Sequence, residues 1–415
     1  MFNDKGIFWN LVSLVVLGIS GVLINSMILY FRGEEAVGIF NQAYAIYIVF
    51  SQIGVAGIQY SVLNRLSLTT DDPEKSGRIT GAALLLALFF TSLIAGLGYL
   101  ISPFVGKFLN SPDVASSMAW LMPGLVFFCL NKILINVVNA FEKMIAYAVF
   151  RSIRFVLIPG FIGAIIFIGL DNYFLAASFS MAEVILFIAL LIYIRTTLFR
   201  VRLPITKEYY QQHLAFSSKG FFSGILVELN TRLDVLLLGY FVDDYSVGVY
   251  SFVATLAEGF SQFSNALRWN IDPELGRLLN KDDKPGIISL VNSIRRDYYK
   301  LFILGGTIII LAFPFAYRIL IGSYDWLSAL MFAVMMIGVI FGAWYRPFSG
   351  LMLQGGKPGV YTIYVLLLLL GDGVLNLLLI PYLGILGAAI VTMITYILEG
   401  LYLKWVASRL FSLKI

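Results

Sequence analysis

The length of the apolar segments constrains this chain more than any other feature of the sequence. Twelve stretches are long and apolar enough to cross a bilayer as α-helices, which takes about 20 residues. They cover 7–31, 36–63, 79–105, 115–141, 145–170, 172–195, 215–241, 245–271, 298–321, 326–354, 358–381 and 384–408. Their apolar residues are continuous and do not alternate, which argues against a β-barrel. The sequence therefore predicts an all-α integral membrane protein with about 12 transmembrane helices.

Composition excludes several classes of function. Of the 415 residues, 60% are hydrophobic and 13% are charged, whereas soluble domains carry about 25% charged residues. A soluble enzyme, a nucleic-acid-binding module and a disordered regulator are thereby excluded. His213 and Cys129 are the sole histidine and cysteine, so we expect no His-ligated metal and no internal disulfide. No P-loop and no Ser–His–Asp grouping occurs, so we expect no enzyme, cofactor or metal, and we place His213 in a loop or interface.

Basic residues predict the orientation in the membrane. With the N-terminus in the cytoplasm, 20 Lys and Arg residues fall on the cytoplasmic side and 3 on the other. The remaining ones lie inside or at the edge of the spans. By the positive-inside rule, both termini are then cytoplasmic. Two longer basic loops, 196–214 and 272–297, are predicted to form short amphipathic pieces on the membrane surface.

The two halves of the sequence resemble each other at an offset of 210 residues. Tyr30-Phe31, Val37-Gly38 and Ser51-Gln52 recur as Tyr240-Phe241, Val247-Gly248 and Ser261-Gln262. This offset spans six helices, an even number, so both halves start on the same side of the membrane. We therefore expect two parallel six-helix bundles, 1–205 (helices 1–6) and 206–415 (helices 7–12), around a central cavity that holds the substrate path.

Four segments carry a resemblance to a known superfamily. Residues 34–40 (EEAVGIF) lead into helix 2, and residues 243–250 (DDYSVGVY) lead into helix 8. Residues 271–275 (IDPEL) leave helix 8, and residues 376–389 (NLLLIPYLGILGAA) join helices 11 and 12. With twelve predicted helices in two parallel lobes, the chain resembles the MOP superfamily of exporters. Within it, the sequence is similar to the polysaccharide transporters and the Wzx-type O-antigen flippases.

The resemblance implies a function and a location. Such flippases move undecaprenyl-diphosphate-linked oligosaccharide from the inner to the outer leaflet for O-antigen and lipopolysaccharide biosynthesis. The expected partners are this lipid-linked oligosaccharide, membrane lipids, a coupling H⁺ or Na⁺ and polysaccharide assembly proteins, in the cell inner membrane and without nucleic acid. The alternative is a cation or drug antiporter of the MATE branch. A membrane O-antigen polymerase or ligase is disfavoured, because the external loops are about ten residues or shorter.

Cationic residues inside the predicted spans are candidate ligands for the diphosphate. A charge at the bilayer centre costs at least about 2.5–3.5 kcal/mol, so each needs an explanation, and cations suit a pyrophosphate. The candidates for a cationic cavity are Lys132, Arg232, Arg346, Arg268, Arg151 and Arg154. The structural alternative is that these side chains form ion pairs or, near the cytoplasmic end, extend towards the headgroups.

Amides and acids complete the candidate site. Asn136 and Asn139 share a predicted helix face with Lys132, Gln262 and Asn265 share one in helix 8, and Gln52 lies in helix 2. They are candidates for a polar cavity lining, or alternatively for hydrogen bonds between helices. Glu228 and Asp234 are candidates for ion coupling, because a buried carboxylate can exchange protons or bind Na⁺. Alternatively, Glu228 pairs with Arg232 one turn away and only neutralises it.

Overall fold

Prolines and short polar side chains begin several helices of the first half. The computed structural model describes residues 4–203 and 206–413. In this half it contains α1 (Asp4–Val55), α2 (Ile58–Leu66), α3 (Pro73–Phe108), α4 (Pro112–Ala140), α5 (Met144–Ile168), a 3-10 turn (Asn172–Ala176), α6 (Ala177–Thr197) and α7 (Lys207–Asn230). Asp72 caps α3 and Ser111 caps α4, each through a backbone N–H of the first turn. Both helices begin with a proline, which is tolerated because a backbone N–H at the first helical position has no acceptor within the helix.

Glycine breaks divide the long first helix. At 1.5 Å per residue, the 52 residues of α1 measure about 78 Å, more than twice the hydrocarbon core of a bilayer. Gly33 interrupts this helix with φ 82° and ψ −178°, a conformation that essentially only glycine adopts. The predicted spans 7–31 and 36–63 lie on either side of it. A second break, at Ala56 and Gly57, separates α1 from α2 through positive φ angles of 50° and 77°.

The second half has shorter helices with more interruptions. It contains α8 (Leu233–Phe241), α9 (Asp244–Asn280), α10 (Lys284–Ile294), a π-helical turn (Arg295–Tyr299), α11 (Lys300–Ile321), α12 (Trp326–Gly342), a 3-10 turn (Arg346–Phe348), α13 (Leu351–Gln354), α14 (Pro358–Leu383) and α15 (Ile385–Phe411). The predicted span 215–241 is therefore divided between α7 and α8. The predicted span 326–354 bends by 47° after α12, where Pro347 cannot donate a backbone hydrogen bond.

The all-helical membrane architecture is confirmed, while the number of spans is not. Within the described residues there is no β-strand, and all twelve predicted stretches fall on helices. Among the described residues, eight helices are long and apolar enough to cross a membrane, or nine if the bent pair after Trp326 counts as one span. The predicted spans 215–241 and 245–271 are not among them, and the first of these is divided between α7 and the 9-residue α8. Twelve spans therefore stay a prediction.

The chain packs into two compact units, Met1–Leu229 and Asn230–Ile415. In the first unit, α4 is central and contacts α1, α2, α3, α5 and α6. In the second, α15 contacts α12 and α14, and α9 contacts α12. The structure thus groups α7 with the first unit, whereas the predicted bundles divide at 205/206. The parallel arrangement of the bundles stays a prediction, and the chain ends, 1–3 and 414–415, lie outside the described residues.

Close helix packing in each unit depends on a glycine. A Cβ added at Gly124 in α4 would lie 2.6 Å from Ser180 Cα in α6. A Cβ added at Gly338 in α12 would lie 2.7 Å from Met393 Cα in α15. Such small residues let helix backbones approach closely where lipid supplies no hydrophobic driving force.

The two loops predicted to lie on the membrane surface are packed on protein. After α6, the chain runs without helix over 198–203 and crosses α3, where the Arg202 N–H donates to the Gly77 carbonyl at 3.1 Å. In the second loop, α10 is amphipathic as expected. Its apolar residues Ile287 and Val291 are buried in a cluster with Leu275 and Leu278 of α9. Protein therefore covers the apolar face that the sequence assigned to lipid.

Candidate functional site

In the first unit, a buried ion pair joins three helices. Arg154 of α5 donates through Nη2 to Glu183 Oε2 of α6 at 3.0 Å, and its Nε lies 2.5 Å from Glu183 Oε1. Asn131 of α4 donates to the same carboxylate at 2.7 Å and to the Glu183 carbonyl at 2.9 Å. The Glu183 side chain is fully buried. Arg154, predicted as a diphosphate ligand, is thus committed to a carboxylate.

Lys132 lies next to this pair but is held differently. Its Nζ donates to Ser51 Oγ of α1 at 2.9 Å and lies 4.6 Å from the centre of the Phe128 ring. Arg154 lies over the same ring, at 4.2 Å. Within the described part of the chain, no carboxylate is at ion-pair distance from Lys132. Glu183 therefore balances Arg154, whereas Glu183 and Glu228 attract Lys132 only from beyond ion-pair distance.

Two of the three predicted amides of this unit do make contacts near Lys132. Gln52 of α1 donates to Glu228 of α7 at 2.9 Å. Asn136 donates to the Lys132 carbonyl one turn earlier in α4, at 2.8 Å, and Asn139 is half-buried in the last turn of that helix. Arg151, also half-buried, precedes Arg154 by three residues in α5. The polar face predicted for helix 4 is therefore partly engaged with its own backbone.

The helix on which Glu228 was predicted to pair with Arg232 is interrupted. α7 ends at Asn230, and Arg232 precedes the first residue of α8. Glu228 accepts from Gln52, and Arg232 attracts the Glu258 carboxylate of α9. Pairing of Glu228 with Arg232, the alternative to a coupling role, stays a prediction.

In the second unit, two of the predicted phosphate ligands have acidic partners. Arg346 was predicted to lie in a continuous span, but it belongs to the 3-10 turn after α12. Its Nε lies 3.7 Å from Glu399 Oε1 of α15, and its guanidinium lies 5.1 Å from the centre of the Tyr396 ring. Arg268 of α9 lies 3.9 Å from Asp272 and donates to Ser349 Oγ at 3.2 Å. Both arginines therefore join α9 or α15 to the bend after α12.

The carboxylates of the second unit form a separate polar cluster. Asp234 of α8 accepts a very short hydrogen bond, 2.5 Å, from the Tyr250 hydroxyl of α9, which also lies 3.1 Å from Thr392 Oγ1 of α15. Asp372 of α14 accepts from Asn376 at 3.0 Å and from Thr395 at 3.1 Å.

Both carboxylates are largely withdrawn from solvent, and they repel each other electrostatically. No ion pair involves either of them within the described residues. Hydroxyl, amide and carboxylate oxygens without a fixed cation can stabilise a proton or a small hard cation.

The remaining predicted residues lie at the edges of these clusters. Gln262 and Asn265 of α9 hydrogen-bond to each other at 3.0 Å at an exposed position. Glu258 lies one turn before Gln262 and is half-buried. Among the described residues, no group of three or more His, Cys, Asp or Glu side chains is placed to hold a metal ion.

His213 was predicted to be a loop or interface residue, and the structure shows it fully buried. It belongs to α7, and its Nε2 lies 3.1 Å from the Ile79 carbonyl of α3. Because a carbonyl can only accept, Nε2 carries the proton, and Nδ1 accepts from Ser61 Oγ of α2 at 2.9 Å. Burial lowers the pKa of His213 to about 4. As a neutral imidazole, His213 therefore joins α7 to α2 and α3 through hydrogen bonds.

The family of the chain follows from comparison with known proteins. Residues 4–267, more than half of the chain, match the family described as "Polysaccharide biosynthesis protein". The chain belongs to this family. The sequence resemblance to the MOP superfamily agrees with the folds of solved structures. No curated protein sequence matches it.

Solved structures show the same fold. One is "Lipid II flippase MurJ, inward closed conformation", with 13% identity and a TM-score of 0.79 over 98% of this chain and 88% of that one. Another is an inward-facing MATE-family multidrug resistance transporter, with 12% identity and a TM-score of 0.77 over 96% and 94% of the two chains. A third is the MATE transporter DinF-BH in complex with R6G, with 18% identity and a TM-score of 0.66 over 98% and 95%. The chain is therefore a multi-pass membrane protein with the fold of these transporters.

Sequence reasoning missed several partners of the charged residues. Glu183, Glu399 and Asp372 were visible as acids inside predicted spans. Apart from Asn376, which lies one turn after Asp372, their partners come from other elements of the chain. Ser51 and Phe128 carry no charge and gave no signal of their own. The one available hint is that Ser51 lies inside the repeat, at the position matching Ser261.

Proposed function

We propose that the chain is a flippase that moves undecaprenyl-diphosphate-linked oligosaccharide, an O-antigen or similar repeat unit, from the inner to the outer leaflet of the cell inner membrane. The observation that carries this proposal is the Lys132 ammonium, which has no carboxylate at ion-pair distance among the described residues, in a protein of the polysaccharide biosynthesis family. A diphosphate would supply a negative charge in direct contact with this ammonium. The lipid II flippase among the structural neighbours acts on a substrate of the kind proposed here.

Genetic complementation tests this function. The wild-type gene is expected to restore surface polysaccharide in a strain that lacks its oligosaccharide flippase, and Lys132→Ala is expected to abolish the rescue at normal membrane abundance. Asn110→Ala, in the turn between α3 and α4, serves as a matched control for expression. Full rescue by Lys132→Ala would refute the role of the ammonium.

A coupling cation is part of the proposal. Asp234 shares its cluster with Tyr250 and Thr392, and the neighbouring Asp372 adds a second carboxylate. We assign to Asp234 the role of binding H⁺ or Na⁺ during transport, with Glu228 as the corresponding candidate in the first unit. Asp234→Asn and Glu228→Gln are expected to uncouple transport by reconstituted protein from an imposed Na⁺ or H⁺ gradient. Asp297→Asn, an exposed acid paired with Arg296, is the control.

The same carboxylates favour the second candidate, a MATE-type cation or drug antiporter. Asp234 and Asp372 have no ion pair among the described residues and would suit a cationic substrate. Efflux of a cationic dye from cells that express the protein distinguishes the two functions. Dye efflux that depends on Asp372, with no rescue of surface polysaccharide, would replace the flippase by the antiporter.

A further inference from the structure

We propose that Ser51 and Phe128 are positioning residues that hold the Lys132 ammonium without neutralising it, so that its charge stays available to a phosphate of the substrate. This inference rests on the proposed flippase function and names the part of the first unit that meets the diphosphate. It also separates Lys132 from the arginines that the sequence grouped with it.

Ser51 offers the ammonium a fixed and neutral acceptor. Its hydroxyl donates to the Ile48 carbonyl of its own helix at 2.7 Å, so its proton is already used. The remaining lone pairs can only accept, and one of them faces Lys132 Nζ at 2.9 Å. Ser51 is fully buried, which fixes the position of the oxygen. A lysine ammonium has three donors, so this bond leaves donors for a second acceptor.

Phe128 attracts the ammonium through the face of its ring. A π-system draws in a cation electrostatically and adds no negative charge to the site. The ring is held by Tyr47, which stacks on it at 5.0 Å and 15° and donates its hydroxyl to the Gly124 carbonyl at 3.3 Å. Because Lys132 and Arg154 share this ring, at 4.6 and 4.2 Å, Phe128 keeps two like charges together.

Three arginines that the sequence predicted as phosphate ligands are held in another way. Arg154, Arg346 and Arg268 have carboxylate oxygens 2.5, 3.7 and 3.9 Å away. A phosphate that approached one of them would compete with that carboxylate, and a buried carboxylate that lost its partner would be costly. A phosphate that approached Lys132 would compete only with a hydroxyl. The geometry therefore favours Lys132 as the contact for the diphosphate.

The internal repeat supplies a matched control for Ser51. Ser261 of α9 stands at the equivalent position, 210 residues later, is equally buried, and donates to the Glu258 carbonyl at 2.8 Å. Among the described residues, its hydroxyl bonds to this carbonyl and to no cation. Phe179 is the control for Phe128, since its ring also contacts Tyr47, with the ring centres 5.6 Å apart and the planes tilted by 35°, but it faces neither Lys132 nor Arg154.

The experiment measures how the purified full-length protein binds farnesyl diphosphate, a short polyprenyl diphosphate, by equilibrium dialysis at several salt concentrations. Ser51→Ala is expected to weaken binding by roughly 10-fold or more, as for loss of a hydrogen bond to a charged group. Phe128→Leu is expected to weaken it about 3- to 30-fold. Ser51→Thr, which keeps the hydroxyl, is expected to retain binding. Ser261→Ala and Phe179→Leu are expected to bind within about 2-fold of the wild type, the scatter of such single-site measurements.

The outcomes separate this inference from the proposed function. If Lys132→Ala binds the probe like the wild type, the diphosphate site itself is wrong. If Lys132→Ala loses binding while Ser51→Ala and Phe128→Leu do not, only the positioning role is wrong. Equal losses for Ser51→Ala and Ser261→Ala would also overturn it, since they would reflect helix packing. Should Ser51→Ala fail to fold, Ser51→Cys tests the same point, because sulfur is a weak acceptor of similar size.

Discussion

The two units share a helical pattern but differ in the charge of their buried clusters. In the first unit, Arg154 and Glu183 balance each other, and Lys132 has a hydroxyl and no carboxylate in direct contact among the described residues. In the second, Arg346 pairs with Glu399, and Asp234 and Asp372 remain as carboxylates with hydroxyl and amide partners. The repeated positions keep structure, since Ser51 and Ser261 make the same bond to the carbonyl three residues earlier. The sequence repeat therefore keeps this local hydrogen bond in both units, while the buried charged residues of the two units differ.

The largest expected effect concerns the parallel arrangement of the two halves. Cys129 is buried, and Cys129→Ser gives a cysteine-free background for labelling. Glu35→Cys and Tyr245→Cys stand at exposed positions 210 residues apart, and both should react with an impermeant maleimide on intact cells. Leu68→Cys, 80% exposed in a predicted cytoplasmic loop, should react only after permeabilisation. Labelling of only one of the first pair would show that the halves are not parallel.

The next-largest effect is a difference in the free energy of unfolding that is lost when an ion pair of each unit is removed. Arg154→Met leaves Glu183 buried without its partner, and should lower the free energy of unfolding by about 3–5 kcal/mol. Arg268→Met removes a partly exposed pair at 3.9 Å and should cost about 1 kcal/mol or less.

Thermal unfolding of the purified variants measures both changes. The double variant Arg154→Met with Glu183→Met should recover most of the loss, because it strands no charge. Equal destabilisation by the two single variants would remove the contrast between the units.

His213, the one histidine of the chain, makes the stability of the first unit depend on pH. Its pKa is about 4 in the folded protein and ordinarily 6.5, so between these values protons favour the unfolded chain. Stability should be intact above pH 6.5 and fall by about 3 kcal/mol as the pH drops towards 4. His213→Gln should flatten this part of the pH profile of unfolding. Identical slopes for both proteins would contradict a neutral buried imidazole.

The smallest effects are expected at the starts of predicted helices 2 and 8, which occupy equivalent positions in the two halves. Gly33 precedes residue 34 with a backbone conformation reserved for glycine, and Gly33→Ala should cost about 1–3 kcal/mol. Asp243, at the equivalent position, caps α9 by accepting from the Ser246 N–H at 2.9 Å, so Asp243→Ala should cost about 1 kcal/mol. Denaturant titration of both variants measures the difference. A larger loss for Asp243→Ala would show that the cap, and not the backbone turn, fixes these junctions.

Much of the fold could be predicted because it depends on local sequence. Apolar length places the helices, and capping residues such as Asp72 and Ser111 mark their starts. The breaks inside spans were harder to see. Arg232 and Arg346 were assigned to continuous helices, since a window of apolar residues does not register a change of backbone direction at one or two positions.

The sequence by itself determined the class of the protein. Continuous apolar stretches leave an α-helical membrane bundle as the stable arrangement, and the segments around residues 34–40 and 243–250 pointed to the MOP superfamily. Which charges remain free was decided only by the tertiary structure. Arg154 and Glu183 balance each other because the packing of α5 on α6 brings them together, while Lys132, four residues from Phe128, contacts only a hydroxyl and a ring. Whether two charged side chains pair depends on the distance between them in the folded protein, and the order of residues along the chain does not give that distance.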